Sequence, residues 1–143
     1  MPSYRRPFRC EVITPTGRAF AGEFASAVFP ALDGLVGVLG GRGPLVMLLG
    51  SGPLTVREMD GAPTGYFLAG GFARFRDNVL TLLTAECLPL HEIDPEAAWR
   101  EIQQATALPR ETPEAEARRE EALKAARDKF NLAQKHRKET EGI

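Results

Sequence analysis

Lysine is missing before residue 124: all four lysines, at positions 124, 129, 135 and 138, fall in the last twenty residues. The phosphate loop of nucleotide hydrolases needs Gly-Lys-Ser/Thr, so it cannot be written in the first part of the chain. Histidine is as scarce. His91 and His136 are the only two, and neither has an acid and a nucleophile in its sequence context. No catalysis by this chain alone is expected. Two cysteines, Cys10 and Cys87, cannot make a disulfide framework or a metal site on their own and are expected as reduced, packed thiols. No apolar segment approaches the roughly 20 residues needed to cross a bilayer. Met1 to Pro7 carries Arg5 and Arg6 with no apolar run behind them, which argues against a signal peptide. A cytosolic protein is expected, with membrane association only through a partner. The net charge of −1 supplies no basic field to hold nucleic acid.

What the chain does have is unevenly spread. Its 143 residues suffice for one modest core and an appendage. Residues 1–90 hold 8 basic and 7 acidic side chains, whereas residues 91–143 hold 10 and 12, so the tail is much the more densely charged. Nine of the eleven aromatics lie before residue 90, which locates the core. The chain therefore reads as a body, 1–90, and a tail, 91–143.

The body is mainly β. Phe8 to Thr14 alternates, with Phe8, Cys10 and Val12 on one face. Arg18 to Ala21 and Ala25 to Pro30 follow as strands, Pro30 implying that its strand lies at an edge or ends there. Ala31 to Leu54 packs seven glycines and two prolines among leucines and valines, the composition of a chain turning between very short strands. Turns are expected at Asp33–Gly34, at Gly40 to Pro44 and at Gly50 to Pro53. Leu54 to Met59, Tyr66 to Ala69 and Phe72 to Arg76 continue the pattern, the last two broken by Gly70 and Gly71, with Ala73 and Phe75 inward. Asp77 and Asn78 tolerate positive φ and form a tight turn into Val79 to Thr84. Eight to ten short strands predict a sandwich or flattened barrel.

At Ile93 the pattern changes. Asp94-Pro95 and Thr112-Pro113 are both helix starts, a capping side chain followed by a proline that fixes the first turn. They predict helices to about Ala107 and from about Glu114 to Lys138. The first carries a narrow stripe of Ala98, Trp99, Ile102 and Thr106. The second has a thin seam of Ala115, Ala122, Ala126, Phe130 and Ala133, with Leu123 beside it. A seam of alanines buries little area, so at roughly 25 cal/mol per Å² this hairpin is weakly held, as a movable element must be.

Two segments, ALDGLVGVLGGRGPLVMLLGSGPL at 31–54 and YFLAGGFARFRDNVLTLLTAE at 66–86, together with the β-then-helical order, resemble the epsilon subunit of the F-type ATP synthase. The family turn P-G-H-A-P is Gly40, Gly41, Arg42, Gly43 and Pro44 here, so a permanent positive charge replaces an imidazole. The resemblance implies a rotor subunit of the central stalk. Its sandwich would clamp the gamma subunit and rest on the ring of c subunits, coupling ion flow to ATP synthesis as a peripheral subunit on the cytoplasmic face of the inner (plasma) membrane. It places Leu32, Asp33, Leu35 and Arg42 at ring-facing positions, with a leucine at 35 where the family commonly has an acid. It also implies that the tail inhibits hydrolysis by entering the catalytic hexamer of alpha and beta subunits, with Arg118, Arg119, Arg127 and Lys129 as contacts. Glu120, Glu121 and Asp128 interrupt that row.

Some family members bind ATP through I/L-D-x-x-R-A at the start of the first tail helix. Ile93, Asp94, Pro95, Glu96, Ala97 and Ala98 occupy those positions, so Ala97 replaces the arginine that meets phosphate. Arg100, nearly one turn on, is the substitute candidate beside Asp94, but Asp94 reads more simply as an N-cap. No cofactor and no metal are expected. The alternative to the rotor subunit is a free-standing β-sandwich adaptor whose hairpin recruits another protein.

Overall fold

The computed structural model describes residues 6–141. Most of the Met1 to Pro7 segment discussed above, and the last two residues of the tail, lie outside the described residues. The chain divides into two compact units, Met1–Pro89 and Leu90–Ile143.

The first unit contains β1 (Phe8–Thr14), β2 (Gly17–Phe24), β3 (Ser26–Ala31), β4 (Gly34–Leu39), β5 (Leu45–Arg57), β6 (Pro63–Arg76), β7 (Val79–Leu83) and β8 (Cys87–Pro89). They form one sheet in the order β2-β1-β7-β6-β5-β3-β4, with β8 also on β6. β5 and β6 stay paired from Leu45↔Phe75 to Arg57↔Pro63. Their first and second halves have different neighbours: the Leu45 end adjoins β7 and β1, the Arg57 end β3 and β8. The sheet thus folds over itself into two layers. Phe8, Cys10, Val12, Phe75 and Leu80 from one layer pack with Ala27, Phe29, Val38, Leu54 and Val56 from the other in a single core. The eight strands and the sandwich agree with the alternation in the sequence.

Two local expectations are corrected. Gly50 to Pro53 is a bend within β5 rather than a turn, and Gly70 and Gly71 bend β6 rather than break it. Paired strands can fold over together only where no side chain obstructs them. Gly71 has φ +121°, and a Cβ there would overlap the Leu83 carbonyl oxygen. Of the two readings of Pro30 the second holds: β3 lies between β4 and β5 rather than at an edge, but it ends one residue later, at Ala31, and Pro30 sits where the β3–β5 register lapses between Val28 and Ala31. A missing N–H costs nothing where the ladder is already interrupted.

The second unit holds a 3-10 turn (Leu90–Glu92), α1 (Pro95–Thr106) and α2 (Pro113–Thr140). Asp94 caps α1 by accepting from the Glu96 N–H at 3.1 Å, and Thr112 caps α2 by accepting from the Ala115 N–H at 3.0 Å. The buried side of α1 runs Pro95, Ala98 and Ala105, with Ile102 half-buried; Trp99 and Thr106 are exposed. Trp99 still meets Phe130, ring centroids 5.5 Å apart. On α2, Leu123, Ala126 and Ala133 are buried as the seam requires, and so is Lys129.

Candidate docking surfaces

The β3–β4 turn is set by Asp33 and by Gly34 at φ +136°. It leaves Leu32 and Leu35 largely exposed, at 66% and 61%, with Asp33 exposed between them. Three of the four ring-facing candidates are thus together. Arg42 is not with them: it follows the far end of β4, a six-residue strand that spans about 17 Å.

The Arg42 turn belongs to the opposite end of the sandwich and is tied there. The Gly41 N–H donates to Asn78 Oδ1 at 2.9 Å, and Asn78 Nδ2 donates to the Pro7 carbonyl at 2.7 Å. Asn78 itself holds φ +63° in the β6–β7 turn. One side chain therefore joins the N-terminal segment, the β4–β5 turn and the β6–β7 turn. Gly40 closes the join, since a Cβ there would overlap the Arg6 carbonyl oxygen. The guanidinium of Arg42 donates to the neighbouring Gly43 carbonyl, 3.2 Å away, and stays exposed.

Between these ends lies a surface that the sequence reading did not single out. Leu48 pairs with Phe72 and Phe72 with Leu83, while Val46 pairs with Arg74, so their side chains form two adjoining rows on the outer face of one layer. Val46 is 72% exposed and Phe72 53%, with Leu48 and Leu83 close behind. Ile13 extends the row through Leu83, and Glu11 stands beside Thr81 in the next. The Arg9 Nε donates to Glu11 at 2.6 Å, which holds that carboxyl below the usual carboxylate range. An apolar row flanked by Arg74 is an interface in composition: an apolar patch with an arginine at its rim. The signal was present in the sequence. If Ala73 and Phe75 face inward, Phe72 must face outward, and runs such as LVMLL cannot hide both faces.

In the second unit the four tail cations separate into two pairs. Arg118 and Arg127 are exposed. The Arg119 side chain is only 11% exposed, with Nε 3.3 Å from the Thr106 carbonyl. Lys129 is 5% exposed, its Nζ 2.7 Å from Glu101 Oε2. Its seam position was legible in the spacing 122, 126, 129, 133, and its charge obscured it. The nucleotide candidates also part. Asp94 lines an open depression of about 410 Å³ with His91, Glu92, His136 and Arg137, and its carboxylate caps α1. Arg100 lines another, of about 270 Å³, with Trp99, Phe130 and Arg137. Among the described residues no group of three or more His, Cys, Asp or Glu is placed to hold a metal.

A glycine-folded β body with an exposed apolar face, and a hairpin closed by charged contacts, define a subunit built to be held by other proteins. Residues 7–89 match the family model "ATP synthase, Delta/Epsilon chain, beta-sandwich domain". The chain is 33% identical over 125 residues to the ATP synthase epsilon chain of Rhodopirellula baltica, covering 87% of this chain and 97% of that one. It is 36% identical over 86 residues to that of Chlorobaculum tepidum, covering 60% of this chain but 98% of the relative, which is thus about as long as the β body. A chain of the Euglena gracilis mitochondrial ATP synthase, solved with OSCP, F1 and c-ring, superposes with TM-score 0.69 at 26% identity over 83% of this chain and 76% of that one. The chain belongs to the ATP synthase delta/epsilon family, as an epsilon chain. No helix of the described residues is long and apolar enough to cross a membrane.

Proposed function

We propose that this epsilon chain is a non-catalytic central-stalk subunit, standing on the cytoplasmic face of the membrane and joining the gamma subunit to the c-ring so that ion flow drives ATP synthesis. The observation that carries the reading is the apolar face of Val46, Leu48, Phe72 and Leu83, four large side chains exposed side by side, the kind of patch that marks an interaction site. Gamma is its occupant, with Arg74 and Arg42 meeting acidic side chains at the rim. Leu32, Asp33 and Leu35 face the ring at the other end, so the permanent charge of Arg42 serves gamma rather than the ring. The length of β4, which separates the two turns, supports that division. Phe72→Glu should weaken binding of the purified chain to gamma at least about 100-fold, the loss of a central aromatic anchor, while leaving the far-ultraviolet spectrum intact. Unchanged affinity would remove the assignment.

The tail acts as an inhibitor of hydrolysis in this reading. Arg118 and Arg127 are free to contact the alpha and beta subunits, and deletion of residues 91–143 should raise the ATPase rate of the assembled enzyme. Regulatory ATP has no place in it: Asp94 is used as a cap, Ala97 stands where the motif has arginine, and Arg100 lines a different depression. Millimolar ATP should leave the amide resonances of the tail unmoved, and a saturable shift would contradict this.

A further inference from the structure

The strand order ends in two edges, and only one of them is guarded. β2, at one end, carries Arg18 and Glu23, and its pairing with β1 slips between Val12 and Ile13. Charges and bulges of this kind keep an edge from pairing with another chain. β4, at the other end, has neither: Gly34–Leu39 reads GLVGVL, without a charge or a proline, and its register with β3 is unbroken. We propose that β4 pairs antiparallel with β4 of a second copy, so that the free chain forms a two-fold dimer through one continuous sheet.

The register follows from Pro30. It stands opposite Leu35 and has no N–H to exchange, so theirs is a non-hydrogen-bonded pair. Bonds to β3 then run through Gly34, Val36 and Val38, and the N–H and C=O groups of Leu35, Gly37 and Leu39 point out of the edge. A two-fold axis at Gly37 sets that residue against its own equivalent and Leu35 against Leu39 on either side. Every outward residue thereby meets an outward residue. The faces agree as well: Leu35 and Leu39, each 61% exposed, share one face and form cross-strand pairs, while Val36 and Val38 stay on the core side. Gly37 adds no side chain at the axis, so exposed Val28 beside it joins the strip that the second copy covers.

Charge selects a second copy as the occupant. Asp33 precedes β4 and Arg42 follows it, and both are exposed. Antiparallel pairing of β4 with itself brings the Asp33 turn of each copy against the Arg42 turn of the other, so opposite charges meet at both ends. Asp33 and Leu35 also belong to the end assigned to the ring, so a paired chain cannot seat there, and the dimer is a state of the chain outside the assembled enzyme. That consequence rests on the ring assignment; the pairing itself does not.

Sedimentation of the purified full chain over a concentration series should show a monomer–dimer equilibrium with Kd on the order of 10 to 100 μM, as a short interface gives. Between dilute and concentrated samples, amide exchange of Leu35, Gly37 and Leu39 should slow at least about fivefold, with no comparable change at Val36 and Val38. Leu39→Lys should raise Kd at least about tenfold. Asp33→Arg should do likewise, and combining it with Arg42→Asp should return Kd to within about threefold of wild type. A chain that stays monomeric at about 1 mM, a dimer that leaves those three amides unprotected, or a charge swap that fails to restore pairing overturns the proposal.

Discussion

At the scale of single residues the body depends on a few positions with no tolerance. Gly71 is one: its φ and the Leu83 carbonyl both exclude a side chain, so Gly71→Ala should destabilise the body by about 2 kcal/mol or more, read as a lower denaturant midpoint with an unchanged slope. Asn78 is another, because its amide ties three segments. The two thiols give a pH prediction. Burial pushes Cys10 up to about 12, with help from Cys87 and Glu11, and burial pushes Cys87 up to about 11. In the unfolded chain both ionise near 9, so the folded state favours the neutral thiol. That stability is complete below pH 9 and declines as pH rises from there towards 11 to 12, by up to about 1.4 kcal/mol per pH unit for the buried Cys10 and by less for the partly exposed Cys87, which solvent screens. Equilibrium denaturation at pH 8 and pH 10.5 should show the loss, and its absence in a Cys10→Ala, Cys87→Ala variant would assign it.

At the scale of elements, what was legible in the sequence and what was not divide along physical lines. Alternation exposed β1, because Phe8, Cys10 and Val12 obey a period of two that burial enforces. Both helix starts were legible because capping needs local residues only, Asp94 and Thr112 each next to a proline. The continuity of β5 and β6 was hidden, since glycine reads as punctuation whether it ends a strand or bends one, and only pairing across the sheet distinguishes the two. The separation of Arg42 from Asp33 was hidden for a similar reason. Nine positions apart in sequence, they stand at opposite ends of an extended strand. Lys129 was misread by charge: spacing put it in the seam, and composition put it in solvent. Trp99, the single tryptophan, sits half-exposed against Phe130 and offers a reporter. Its emission should shift to longer wavelength if Glu101→Gln loosens the hairpin.

At the scale of the whole molecule, the chain is two compact units, and the Chlorobaculum tepidum epsilon chain is matched over 98% of its own length by only 60% of this one. If residues 1–89 carry the mechanical link, through an apolar face for gamma and the Leu32–Leu35 end for the ring, then reconstituted enzyme in which the native epsilon chain is replaced by one ending at Pro89 should pump as many ions per ATP hydrolysed as the wild type. Adding Phe72→Glu to the truncated chain should abolish that pumping. Hydrolysis uncoupled from pumping in the truncated enzyme, or full coupling retained with Phe72→Glu, would contradict the assignment.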